Sequence, residues 1–97
     1  MKLSINQKNL IDVCQSNNIS YLGLFGSYSR GEEKKTSDID LLVDFKETKS
    51  LFELARIKFS FEKIFHKEVD LVLKNSLKVE LKTYIFNDLQ TLYEENK

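Results

Sequence analysis

GSYSRGEEKKTSDIDLLVDF, residues 26–45, decides how this chain folds. Glycine and serine close an apolar run from Tyr21 to Phe25, and a polar loop follows. Ile39, Leu41, Val43 and Phe45 then recur at every second position. That period is the mark of a strand with one buried face. Successive side chains point to opposite faces, so Asp38 and Asp40 share the face away from Ile39, Leu41 and Val43. Two like charges placed so closely need compensation. Before them, Gly26-Ser27 turns the chain sharply into a short helix that Gly31 stops.

Outward from this stretch, the pattern predicts helices alternating with strands. Ser4 is the expected cap of a first helix running to about Asn17, with Leu10, Ile11, Val13 and Cys14 on its apolar side. Ser50 to Phe65 reads as a long helix and Val69 to Leu73 as a third strand. Ser76 is the expected cap of a last helix reaching about Tyr93, in which Leu77, Leu81, Tyr84, Ile85, Leu89 and Leu92 form one buried stripe. The class is α/β (α+β), a small mixed sheet of three to four strands with helices on one face. A strand–helix–strand crossover makes the second and third strands parallel. The first must run antiparallel to the second if Gly26 is to lie near Asp38.

Asp70 lies opposite Val69, Leu71 and Leu73 on the third strand. If both strands bury their apolar faces against the same helices, Asp38, Asp40 and Asp70 converge on the other face. Three carboxylates in one place repel and raise one another's pKa. A divalent cation removes that cost, and hard oxygen ligands suit Mg²⁺ together with phosphate oxygens. Gly26 lets the backbone approach a phosphate closely, Ser27 offers a hydroxyl, and the following helix start favours an anion. Metal on one side and phosphate on the other is an arrangement for phosphoryl or nucleotidyl transfer. Each part alone is more often structural, as a turn, a solvated strand edge or a surface acid. Their conjunction, in order and with consistent strand parity, is what carries the reading.

Composition narrows the alternatives. The chain has 97 residues, 41% hydrophobic and 31% charged, which fits one domain over residues 1–97. Fifteen basic and fifteen acidic residues cancel, which counts against a nucleic-acid partner bound through its phosphates. No apolar stretch is long enough to span a membrane, and none near the N-terminus reads as a signal peptide, so the expected location is the cytoplasm. Cys14 is the single cysteine and reads as a core thiol. His66 reads as a helix-end charge, Tyr28 as a surface tyrosine beside the turn, and Asp44 as a solvated acid beyond the metal side. The long helix is apolar on two sides. Leu51, Leu54, Ile57, Phe61, Ile64 and Phe65 make one face, and Phe52, Ala55 and Phe59 lie nearly opposite. The second face calls for the last helix, a partner protein or another copy of the chain to cover it.

Gly26-Ser27-x-x-Arg30-Gly31, followed by Ser37-Asp38-Ile39-Asp40-Leu41-Leu42-Val43, closely resembles the signature of the minimal nucleotidyltransferases of the DNA polymerase beta-like superfamily. The match continues through Val69-Asp70-Leu71-Val72 and the closing helix, and so covers nearly the whole chain. The resemblance implies a nucleotidyltransferase palm-like fold. It gives the nucleotide-binding role to Gly26, Ser27, Arg30 and Ser37, with Arg30 either supporting the turn or contacting phosphate. It makes Asp38 and Asp40 ligands of two Mg²⁺ ions, with Asp70 completing the metal site and helping to deprotonate the attacking hydroxyl. Lys35 and Val79 stand where prolines are frequent, and Ser29 where alanine is common. Nothing in the chain is left over as a separate acceptor-binding domain. The resemblance implies ATP as substrate and a small helical HEPN toxin as partner, AMP passing to one of its tyrosines. The alternatives are an antitoxin that neutralises by binding alone and a transferase for a small-molecule acceptor.

Overall fold

The long helix begins where Ser50 and Glu53 exchange hydrogen bonds. The Glu53 amide donates to the Ser50 hydroxyl at 3.2 Å, and the Ser50 amide donates to the Glu53 carboxylate at 3.0 Å. This reciprocal cap satisfies two amides that a helix start leaves without partners. The computed structural model describes residues 5–32, 34 and 38–95; Ser4, Lys35 and Ser37 lie outside the described residues. Its elements are α1 (Gln7–Ser16), β1 (Ile19–Phe25), α2 (Ser27–Arg30), β2 (Ile39–Phe45), α3 (Leu51–Phe65), β3 (Val69–Leu73), α4 (Val79–Asp88) and β4 (Gln90–Glu94).

The strands lie in the order β3-β2-β1-β4. β1 runs antiparallel to β2 and to β4, and β2 runs parallel to β3. The sheet is therefore mixed, as the alternating pattern predicts. Leu22, Leu24, Ile39, Leu41, Val43 and Val69 project from one face into a core completed by Leu10 and Cys14 of α1 and Ile57, Phe61 and Phe65 of α3. Burying a side chain such as Phe61 stabilises the fold by roughly 1.5–3 kcal/mol. Burial also pushes the Cys14 thiol up to about 12, so it is an inert core group at neutral pH.

The ends of β2 and β3 are joined at the edge that matters for the site. The Ile39 amide donates to the Glu68 carbonyl at 2.9 Å, and the Val69 amide donates to the Glu62 carboxylate of α3 at 3.0 Å. Between α3 and β3 the chain reverses at His66, whose φ of 59° lies in the left-handed region. A non-glycine residue there is strained. His66→Gly should raise the stability of the chain by about 0.5–1 kcal/mol, read as a higher midpoint in urea.

Four expectations are corrected here. The α1 cap is Asn6, whose side chain accepts the Asn9 amide at 3.1 Å, rather than Ser4. Ser76 lies in a short 3-10 turn, and α4 starts three residues later with no side-chain cap. The last helix stops at Asp88 instead of about Tyr93, and Leu92 and Tyr93 belong to β4. Its predicted stripe is not buried: Leu81 is 48% and Tyr84 75% exposed. The reason is the free edge of β1. An edge strand presents unpaired amides and carbonyls, and pairing Gln90–Glu94 with it satisfies more backbone than a longer helix would. In consequence the second face of α3 is uncovered among the described residues, with Phe52 at 85% and Phe59 at 63% exposed. No helix among the described residues is long and apolar enough to cross a membrane.

Candidate active site

Strand register brings the acidic residues of β2 and β3 side by side. Ile39 pairs with Val69, Asp40 with Asp70 and Leu41 with Leu71. Ile39 and Val69 are buried in the core, so Asp40 and Asp70 project from the opposite face of adjacent strands. Backbones there are only about 4.8 Å apart. Asp38 immediately precedes β2 with the parity of Asp40, and it is exposed. Burial, then the charges of Asp70 and Asp38, raise the pKa of the Asp40 carboxyl above its usual value, while Arg30 pulls it down. Asp40 therefore feels both other carboxylates. Among the described residues, no three acidic, histidine or cysteine side chains stand close enough to hold an ion as placed. Asp38 and Asp70 are exposed and can change rotamer. The donor set fits a hard divalent cation, which would offset the repulsion Asp40 feels.

Asp70 sits on an edge strand and also borders a groove of about 300 Å³ with Leu54, Ala55 and Lys58 of α3 and with Leu71 and Leu73.

Gly26 closes the other side of the site. Its φ of 79° and ψ of −156° lie in a region that is essentially glycine's alone. Its backbone also lies so close to Asp40 that a Cβ would collide with the carboxylate oxygen. The turn and the acidic pair are therefore in contact. Ser27 opens α2, the Arg30 amide returns to the Gly26 carbonyl at 3.2 Å, and Gly31 ends the helix as its cap.

Tyr28, expected on the surface, is 5% exposed and packs into the core. α2 is a single turn lying across the end of the sheet, and Tyr28 is the residue that anchors it. Lys67 lies over the Tyr28 ring at 5.7 Å. The Tyr28 hydroxyl is buried without a hydrogen-bond partner, which costs stability. Tyr28→Phe should keep the packing and raise stability by about 1 kcal/mol, checked by thermal unfolding.

Arg30 bonds to the carboxylates of Asp88 at 2.8 Å and Glu32 at 2.9 Å. In this geometry its guanidinium ties the turn to Asp88 and Glu32. Asp88 escaped the sequence reading because an acid at a helix C-terminus carries no motif, and only the tertiary contact reveals it. Asp44, expected in solvent, is half-buried at the far end of β2, where its carbonyl accepts the Ser20 hydroxyl at 3.2 Å. The open face is closed at mid-sheet. Gly23 pairs with the buried Leu42, and the Leu89 and Tyr21 side chains press so closely on Gly23 that a Cβ there would force them to shift.

The family described as Polymerase beta, Nucleotidyltransferase matches residues 8–97. A Methanocaldococcus jannaschii protein assigned by name as a protein adenylyltransferase is 40% identical over 88 residues, 91% of this chain and 95% of its own. Protein adenylyltransferase MntA of Thermococcus cleftensis is 49% identical over 57 residues, 59% of this chain and 58% of that one. Among solved structures, a toxin–antitoxin pair crystallised with AMP-PNP aligns with a TM-score of 0.77 at 25% identity, over 94% of this chain and 75% of that chain. A Shewanella oneidensis complex of tri-AMPylated HEPN toxin with MNT antitoxin shares the fold, with a TM-score of 0.67 at 22% identity over 92% of this chain and 70% of that one. With a paired Asp40 and Asp70, a glycine turn pressed against them, and a family match across residues 8–97, the chain belongs to the polymerase beta nucleotidyltransferase family.

Proposed function

We propose that this nucleotidyltransferase moves AMP from ATP to a hydroxyl, a tyrosine by preference, on a small HEPN partner protein, and so acts as an antitoxin. The observation that carries the reading is the contact of Gly26 with Asp40, which sets a phosphate-accepting turn directly against an acidic pair. The relatives named protein adenylyltransferases support the reaction class, and the toxin–antitoxin pair holding AMP-PNP supports the nucleotide and the partner.

In this reading Asp38, Asp40 and Asp70 hold two Mg²⁺ ions. Bound there, the metal supplies positive charge to the oxygens that enter and leave the α-phosphorus. Gly26 and Ser27 hold the triphosphate, with backbone amides of the first turn of α2 and the serine hydroxyl as donors. Ser37 is assigned to the same nucleotide site from its motif position. The partner's hydroxyl oxygen forms a bond to the α-phosphorus, the bond from that phosphorus to the β-phosphate bridge breaks, and pyrophosphate leaves. A protonated tyrosine is a weak nucleophile, and Asp70 is the group assigned to take its proton. Exposed Leu51, Phe52 and Phe59 on α3 and Val79 and Tyr84 on α4 give a partner apolar surface to meet.

The test mixes the chain with its HEPN partner, ATP and Mg²⁺ and weighs the partner. The expected result is a gain of one or more AMP units that Asp38→Asn abolishes. Neutralisation of the partner with no change in its mass would replace catalysis by occlusion. Transfer of AMP to a small molecule in place of the protein would replace the acceptor.

A further inference from the structure

α4 is held in an unusual way for a helix. None of its residues is buried, and short helices in water depend on packing. Its C-terminal end is instead tied to α2. The Ser29 hydroxyl donates to the Asp88 carbonyl, and the Arg30 guanidinium donates to the Asp88 carboxylate at 2.8 Å. Ser29 and Arg30 form the second half of the four-residue helix whose first residue is Ser27. One residue at the end of α4 therefore grips two consecutive residues of the turn, by a backbone atom and by a side chain.

The other supports of that segment lie in its first half. Tyr28 anchors it from beneath, and Gly26 meets Asp40. Neither contact involves Ser29 or Arg30, the second half of the helix. Asp88 supplies a third point of attachment, through Ser29 and Arg30. It also occupies the Arg30 head group, shared with Glu32.

We propose that Asp88 is a positioning residue for the nucleotide turn: it clamps Ser29 and Arg30 so that Gly26 and Ser27 are presented to the triphosphate in a fixed orientation. The proposal deepens the nucleotidyltransferase reading and rests on it for the role of the turn. α4 packs only partly, with Ile85 half-buried and none of its residues fully buried, so the clamp makes the order of the turn depend on where α4 sits.

Two readouts test it on the full chain. The first is amide hydrogen exchange, which needs no nucleotide. In Asp88→Ala the amides of Arg30, Gly31 and Glu32, bonded to the Gly26, Tyr28 and Ser27 carbonyls, should exchange about tenfold faster while those of Leu22 and Val43 keep their rates. Unchanged exchange in α2, or a rise shared equally by the sheet, overturns the clamp. The second is the affinity for AMP-PNP with Mg²⁺. The Arg30–Asp88 pair is partly exposed, so Asp88→Ala should weaken binding about three- to tenfold, and Asp88→Glu should recover most of it. Arg30→Ala combined with Asp88→Ala should be no worse than the poorer single variant, whereas additive losses overturn the coupling. A parent chain that binds no AMP-PNP refutes the nucleotide reading, and the exchange result then still decides whether Asp88 holds α2.

Discussion

Asp40→Asn should melt at a higher temperature than the parent chain in metal-free buffer at neutral pH, while its rate of AMP transfer should fall roughly 10²–10³-fold. Both effects have the same origin. Burial, Asp70 and Asp38 raise the Asp40 pKa, so the folded chain resists the charge that the unfolded chain carries freely. A carboxyl with a raised folded pKa binds its proton more tightly in the native state. Stability then falls as pH rises from the unfolded value near 3.8, and the deficit is complete above the raised folded value. The advantage of the asparagine variant should therefore be present at neutral pH and vanish in acid, where parent Asp40 is neutral as well. Added Mg²⁺ should close the gap from the other direction, by stabilising the parent alone. Thermal unfolding of both proteins with EDTA and with Mg²⁺, across pH, checks the three statements together. A variant less stable than its parent in EDTA would mean that the carboxylate cluster is not under electrostatic strain.

Gly26→Ala carries the second large effect. At φ 79° and ψ −156° an alanine is strained whatever surrounds it, and its Cβ would be driven into the Asp40 carboxylate. Strain of this kind costs about 1–3 kcal/mol before the collision is added. Unfolding in urea should show a loss of at least about 2 kcal/mol, and nucleotide binding should be lost with it. Gly31→Ala is the matched control. Its φ is also positive, at 72°, but nothing lies within 4 Å of a Cβ there, so only the backbone cost of about 1 kcal/mol applies. Combining Gly26→Ala with Asp40→Ala removes the collision and leaves the dihedral strain. The stability that combination recovers beyond the effect of Asp40→Ala alone measures how tightly the turn is pressed onto Asp40.

Much of this architecture was legible in local pattern. The long helix predicted from Ser50 to Phe65 forms as Leu51–Phe65, with Ser50 as its cap. The period-two runs of β2 and β3 set Asp40 and Asp70 each opposite the apolar face of its own strand, because parity along a strand is a property of the backbone; the strand register then pairs them. The Gly-Ser turn was legible for the same kind of reason, since few conformations besides a sharp bend need glycine at that point.

What stayed hidden depends on contacts between distant residues. Leu89 and Leu92 fit a helical stripe as well as they fit a strand, and no glycine or proline marks the break after Asp88. Only the unpaired edge of β1 decides that Gln90–Glu94 extends the sheet. Tyr28 reads as exposed until α2 is laid across the core, and Asp88 reads as an ordinary surface acid until α4 brings it to Arg30.

By itself, then, the amino-acid order determined the alternation of strand faces, the side of its own strand on which each acid lies and the sharp glycine turn, since each follows from the geometry of neighbouring residues. The tertiary structure alone decided where the last helix ends, which strand closes the sheet and what clamps the turn. Those outcomes turn on pairing backbone groups and charges that lie some sixty residues apart, as Arg30 and Asp88 do with a separation of 58, and no local preference encodes them.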